Sequence, residues 1–158
     1  MENKYAEIII KLEESYSSKE YYCTERYRTI GYGRKLSNVK NDPLQNTVVN
    51  EKDELLFLRT RIKDAEFQIS KFKPNAWSKC NDQRKAVLIS MVYQLGMAGV
   101  SKFNNMWNAL ERGDFELASK EMLDSLWAKQ TKNRALRHAK TMKDGSLDMY
   151  YVSKGTLQ

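Results

Sequence analysis

Between residues 50 and 74 the chain carries the pattern that most limits its fold. Leu55, Leu58, Ile62, Ala65, Ile69 and Phe72 recur at alternating spacings of three and four. Only one face of a single helix can hold all six. Asn50 precedes Glu51 as an N-cap, and Asp53 stands three residues on, in the position of a capping-box acid. Pro74 stops the helix. Such a helix can link a small unit before it to a larger one after it.

The flanking segments differ in character. Tyr5, Ile8, Ile9, Leu12 and Tyr16 fall at helical spacing and predict a first helix from Lys4 to Glu14. After Ser17-Ser18, the β-formers Tyr21-Tyr22-Cys23 and Arg28 to Gly33, split by the polar step Thr24-Glu25-Arg26, read as a small hairpin or meander. Asn38, Asn41, Asp42, Pro43 and Asn46 make residues 34–49 a loop by composition. From Arg84 to Leu95 apolar residues lie on all sides, which predicts a buried central helix ended by Gly96 and Gly99. Short helices follow: Met106 to Leu110 closed by Gly113, Phe115 to Trp127 begun by Asp114, and Asn133 to Lys143 closed by Gly145. The expected fold is α+β, mostly helical, with one small sheet. The length suits one domain or two closely joined lobes over residues 1–158, with an expected β lobe over 15–49, a connecting helix over 50–73 and a helical lobe over 74–158 on which the N-terminal helix can pack.

Composition narrows the chemistry. A chain of 158 residues with 41% apolar side chains supports a core without disulfides or metal. Two cysteines, Cys23 and Cys80, are too few for a disulfide scaffold. The single histidine, His138, removes most zinc sites and leaves a Ser-His-Asp hydrolase one histidine to use. The net charge is +7, and residues 74–158 carry 13 basic against 8 acidic side chains. That half points at an anionic partner. No secretory signal or membrane span is visible.

A carboxylate at a helix end is usually no more than a solvated residue, but the neighbours of Glu13 and Glu14 argue otherwise for Glu14. Eight residues separate Glu14 from Cys23, five separate Cys23 from Thr29, and Thr29 opens Thr-Ile-Gly-Tyr-Gly. A helix-end carboxyl can then face a hairpin bearing a thiol and a hydroxyl, with glycines that allow close approach of backbone to a ligand. This Glu-x8-Cys-x5-Thr pattern resembles the catalytic signature of phage-type lysozymes. The resemblance continues in order through Arg84-Lys85-Ala86, Met91 to Gly96, Leu110 to Asp114, Ala118, Trp127 and Gln130 to Arg137.

The resemblance implies a lysozyme-like fold and a muramidase. Such an enzyme cuts the β-1,4 bond between N-acetylmuramic acid and N-acetylglucosamine in peptidoglycan, with inversion at the anomeric carbon. It assigns Glu14 as general acid, Cys23 to the water-activating place where many members have aspartate, and Thr29 to holding the attacking water. It matches Gly33, Lys35, Tyr93, Gln94, Met106, Glu121 and Arg134 to positions that bind substrate; at Lys35, Met106 and Glu121 the residue type departs from the usual one. Arg34 stands where a histidine is common. Cys80, in a polar stretch, reads as structural.

The stretch from Lys129 to Lys143 holds six Lys or Arg residues, His138 and no acid. Arg134, Arg137 and His138 share one face there, read as a solvated one. Expected partners are bacterial peptidoglycan and the anionic envelope surface, with no nucleic acid, no metal and no cofactor, for a monomer. The resemblance implies synthesis in the host cytoplasm and action on the wall in the periplasm after holin-type release. Two other classes compete: a wall-binding protein that lost turnover through drift to cysteine, and a basic nucleic-acid binder. The second lacks a basic–aromatic ladder or a known binding motif. A lytic transglycosylase, needing Glu14 but not Thr29, is a near neighbour.

Overall fold

The computed structural model describes residues 3–150, apart from Met149; positions 1–2 and 151–158 of the expected domain lie outside the described residues. Helix α1, Lys4–Glu14, starts at Asn3, whose side chain accepts from the Ala6 N–H at 3.0 Å. Its buried residues Ala6, Ile9 and Ile10 join the core of the helical lobe. The helix stops at Ser15, whose backbone turns to positive φ, 60°, with an extended ψ of 174°. That stop leaves Glu13 and Glu14 at the mouth of the sheet.

The sheet is antiparallel in the order β1-β2-β3, from Ser17–Tyr22, Tyr27–Gly31 and Arg34–Lys40. Tyr21 pairs with Thr29, and Thr29 pairs in turn with Lys35. The strand β3 corrects the expected loop over residues 34–49. Its side chains are half-buried or exposed, so a polar composition that reads as loop is compatible with backbone pairing along one edge of β2. The remaining segment returns to β1 through a bridge between Lys19 and Val48.

Helix α2, Glu51–Phe72, has the predicted N-cap: the Asn50 side-chain carbonyl accepts from the Asp53 N–H at 2.9 Å, while the Asp53 carboxylate accepts from the Asn50 side-chain amide at 2.9 Å rather than from its backbone as a capping-box acid would. Leu58, Ile62, Ala65 and Ile69 are buried as the stripe requires. Pro74 ends α2 and also opens a further helix, α3, Pro74–Lys79, which the sequence pattern did not mark. Proline suits a first turn, where its missing N–H has no partner to lose.

The central helix α4 runs over Asp82–Ser101, starting two residues before the expected span and broken at its expected end, Gly96, whose φ is 79°, before a further helical stretch to Ser101. Ala86 to Val92 are buried without interruption. Helices α5, Asn104–Glu111, and α6, Phe115–Leu123, follow and pack against each other, the latter capped by Asp114. The expected single helix from Phe115 to Trp127 is two. Ser125 caps a separate α7, Leu126–Gln130, by accepting from the Ala128 N–H at 3.1 Å; a serine able to bond the backbone competes with the continuing helix. Helix α8, Lys132–Asp144, ends at Gly145. The result is a small sheet lobe and a larger helical lobe joined by α2. No single described helix is long and apolar enough to cross a membrane.

Candidate active site

The end of α1, the sheet and the near faces of α2, α4 and α8 enclose a cleft of about 650 Å³. Glu14, Cys23, Thr29, Gly33, Lys35, Tyr93, Gln94 and Arg134 all line it. The hairpin supplies Cys23 and Thr29 through one carbonyl. Tyr27 O accepts the Cys23 N–H at 3.0 Å and the Thr29 hydroxyl at 2.9 Å. With its hydrogen directed there, the Thr29 oxygen retains lone pairs that can accept from a water. Cys23 is a free, half-buried cysteine.

Glu13 and Glu14 are adjacent, yet their environments push them apart. Arg137 donates to both oxygens of Glu13, at 2.7 and 2.8 Å. Burial alone would raise the Glu13 carboxyl, but the Arg137 bond and the charges of Arg134 and Arg137 carry it below the usual carboxylate range. Arg134 reaches Glu14 through a single contact of 3.2 Å. Burial pushes the Glu14 carboxyl up; Arg134 opposes the rise without cancelling it, and Glu13 adds to it. One glutamate is held ionised and the other favours its proton, the division an acid catalyst needs.

Gly33 lies directly over Glu14. A Cβ built on it would stand 2.7 Å from the Glu14 carboxyl carbon, and its φ is 71°. Only glycine combines that backbone with that approach. The turn is held from outside. Arg34 makes two hydrogen bonds to Glu54, at 3.0 and 2.7 Å, and stacks on Phe57 at 4.5 Å. The Tyr93 hydroxyl donates to the Tyr32 carbonyl at 2.5 Å, and the Tyr32 hydroxyl donates to Glu51. Lys35 lies 3.5 Å over the Tyr27 ring on the cleft wall. Gln94 is oriented by the Trp127 indole N–H, which donates to its carbonyl at 2.8 Å.

Met106 and Glu121 are not part of this cleft. They line a second hollow of about 550 Å³ in the helical lobe, which meets the first at Leu95. Met106 is 1% exposed, so its side chain packs in the core rather than meeting a ligand; the apolar pattern of α5 turns it inward. The basic face of α8 is corrected as well. Arg134 and Arg137 point inward onto Glu14 and Glu13, and His138 is fully buried. Sequence reasoning missed Glu54 and Ser90, both buried polar residues on helices whose periodicity shows only an apolar stripe or an apolar surface all round. Cys80 is buried and its thiol pushed up to about 11, mainly by burial, so it is an inert core group. Among the described residues no cluster of His, Cys, Asp or Glu suits a metal ion.

A sheet lobe and a helical lobe meeting over a half-buried glutamate whose carboxyl is raised define a lysozyme-like α+β protein. Residues 11–142 match the phage lysozyme family, and the chain belongs to that family. It is 33% identical over 169 residues to the pre-baseplate central spike protein Gp5 of Enterobacteria phage T4, a match covering 94% of this chain and 29% of the spike protein. It is 24% identical to the probable T4-type lysozymes 1 and 2 of Dictyostelium discoideum, over 165 and 162 residues, covering 90% of this chain and 95% of each relative. The chain therefore spans under a third of the spike protein and nearly all of the two lysozymes.

Proposed function

We propose that the protein is a peptidoglycan muramidase that cleaves the β-1,4 bond between N-acetylmuramic acid and N-acetylglucosamine by inversion. The observation that carries this reading is the raised carboxyl of Glu14 in a cleft that the sheet lines with Cys23 and Thr29. Glu14 protonates the departing glycosidic oxygen. Thr29 accepts a hydrogen bond from the attacking water, and Cys23 polarises that water from the sheet side. An inverting glycosidase needs these two functions on opposite faces of the sugar, with room for water between them. Gly33, Lys35, Tyr93, Gln94 and Arg134 line the sugar path. Met106, being buried, has no contact role, and Glu121 borders the adjoining hollow. The substrate is the bacterial wall, reached by a monomer in the periplasm after holin-type release and assisted by the anionic envelope; the outcome is lysis.

The test compares wild type with Glu14→Gln in a turbidity assay on chloroform-treated Gram-negative cells. Loss of a general acid costs about 10²–10⁴-fold, so the variant should retain under a hundredth of the activity; retention above a tenth excludes Glu14 as the acid. NMR of the first-formed anomer of the released sugar reads the stereochemistry, with the α anomer expected. The cysteine in place of a carboxylate favours one other reading, a wall-binding protein without turnover. An inactive wild type that gains hydrolysis on Cys23→Asp would establish it.

A further inference from the structure

Two glutamate–arginine pairs join α1 to α8, and they differ in geometry. Arg137 grips both oxygens of Glu13, whereas Arg134 gives Glu14 only Nη1, at 3.2 Å. The second guanidinium nitrogen of Arg134 is occupied elsewhere. Nη2 donates to Ser90 Oγ on α4 at 3.0 Å. Ser90 Oγ lies 2.8 Å from His138 Nε2, and His138 Nδ1 contacts the Tyr150 hydroxyl. The Tyr150 hydroxyl in turn interacts with Glu13 and Arg137. Ser90, His138 and Tyr150 are each fully buried.

The donors in this chain are fixed from both ends. Arg134 can only donate, so Ser90 Oγ accepts from it. Ionised Glu13 can only accept, so the Tyr150 hydroxyl donates toward it. The bonds then run in one direction: His138 Nδ1–H donates to the Tyr150 oxygen, and the Ser90 hydroxyl donates to a bare Nε2. That assignment requires a neutral imidazole. Burial first, and the Arg134 and Arg137 charges next, push His138 down to about 3 against the pull of Glu13. The Arg134 Nε finds no partner among the described residues, so the guanidinium is held by its two terminal nitrogens.

We propose that Ser90, neutral His138 and Tyr150 form a positioning relay that keeps Arg134 to a single contact with Glu14, leaving the Glu14 carboxyl able to carry its proton. The proposal rests on the general-acid reading of Glu14. Without Ser90, the freed Nη2 has Glu14 as its open carboxylate, since Arg137 already occupies Glu13. A forked Arg134–Glu14 pair would stabilise the carboxylate and cost the enzyme its acid. The charged and titratable groups facing these sites are Glu13 from α1, Tyr21 and Cys23 from the sheet, Tyr93 from α4, Glu54 and Arg61 from α2 beyond Tyr93, and Arg137 from α8. None of them is altered in the test.

The experiment titrates the Glu14 carboxyl by ¹³C NMR of glutamate-labelled protein, assigned by its absence in Glu14→Gln. Ser90→Ala should lower the Glu14 midpoint by roughly one unit and move the basic limb of kcat/KM down with it. His138→Leu should shift it the same way. His138→Gln, whose amide can accept from Ser90 and donate to Tyr150, should stay near wild type. In wild type, ¹⁵N shifts should show His138 neutral with its proton on Nδ1 between pH 4.5 and 8, a reading that needs no variant to fold. An unmoved or raised midpoint in Ser90→Ala overturns the relay even where Glu14→Gln is inactive. So does an Nε2–H tautomer or an imidazolium in wild type. A lowered midpoint upholds the relay even if Glu14→Gln keeps turnover, a result that counts against the general-acid role alone.

Discussion

At the scale of single residues, the proposed water-activating role of Cys23 can be tested by exchanging its sulfur for a carboxylate. A cysteine thiol ordinarily ionises between about four and five pH units above an aspartate carboxyl. If the side chain opposite Glu14 must be charged to polarise water, replacing sulfur by carboxylate should open the acid side of the profile. Cys23→Asp is therefore expected to keep kcat/KM at lower pH than wild type, with its optimum moved down. Cys23→Ala, which leaves room for water but no polarising group, should lose about 10²-fold. The profiles of all three on a soluble peptidoglycan fragment check this. Superimposable wild-type and Cys23→Ala curves would make the cysteine a packing residue and leave the water to Thr29. Glu13, by contrast, is no spare acid. Its side chain is 3% exposed and gripped by Arg137, so removing its charge would strand a half-buried guanidinium rather than pass silently.

At the scale of elements, α2 clasps the turn of the hairpin that bears Cys23 and Thr29 through Glu54 and Arg34. Glu54 is 4% exposed and lies so close under Gly31 that an added Cβ would stand 2.2 Å from its carboxylate oxygen. Gly31 also has φ 65°, a conformation costing other residues about 1–2 kcal/mol. Gly31→Ala should therefore destabilise by more than the backbone cost, because Glu54 is tied to Arg34 and cannot move freely. In a Glu54→Ala background the same change should cost the backbone part alone. Urea unfolding of the four proteins gives the coupling directly, and equal costs in both backgrounds would show that the clasp does not hold the turn. Elements of this kind set the limit of what the sequence reveals. The caps and stripes of α1, α2 and α4 are local signals, so their positions are legible in advance. The strand β3 is not, because its pairing partner rather than its composition makes it a strand. Nor is the break at Ser125, where a polar side chain outweighs a helical rhythm that continues past it. In the site, Glu14, Cys23 and Thr29 are marked by spacing within one short segment. Ser90, His138 and Arg134 work through contacts spanning 44 to 120 residues of sequence, and no local pattern announces those.

At the scale of the whole molecule, acid stability hangs on the histidine at its centre. His138 is fully buried between Ser90 and Tyr150, with the Trp127 ring 5.9 Å away. Folded, it is held down to about 3, by burial above all; unfolded, an imidazole ionises near ~6.5. Below that value the unfolded chain takes up a proton that the folded chain refuses, so stability rises with pH through this window and falls on acidification. The contribution is complete above about 6.5 and is lost at about 1.4 kcal/mol per pH unit down toward 3. Glu13, lowered in the fold, acts in the same sense, but only as pH drops below the ordinary glutamate value. Glu14 is raised and acts in the opposite sense, favouring the fold at low pH and losing that effect as it ionises. Between pH 6.5 and 5 Glu13 has not begun to act, and the histidine's own share of the loss should be about 2 kcal/mol. His138→Gln carries no titrating ring, so its unfolding free energy should change by about that much less than wild type between pH 7 and 5. Parallel pH dependences would mean that the imidazole is charged in the fold. The neutrality that lets His138 accept from Ser90 is the property acid erodes. Mild acidification, which favours the protonated form of Glu14, thus works against the fold that positions it, and the two effects bound the useful pH range from opposite sides.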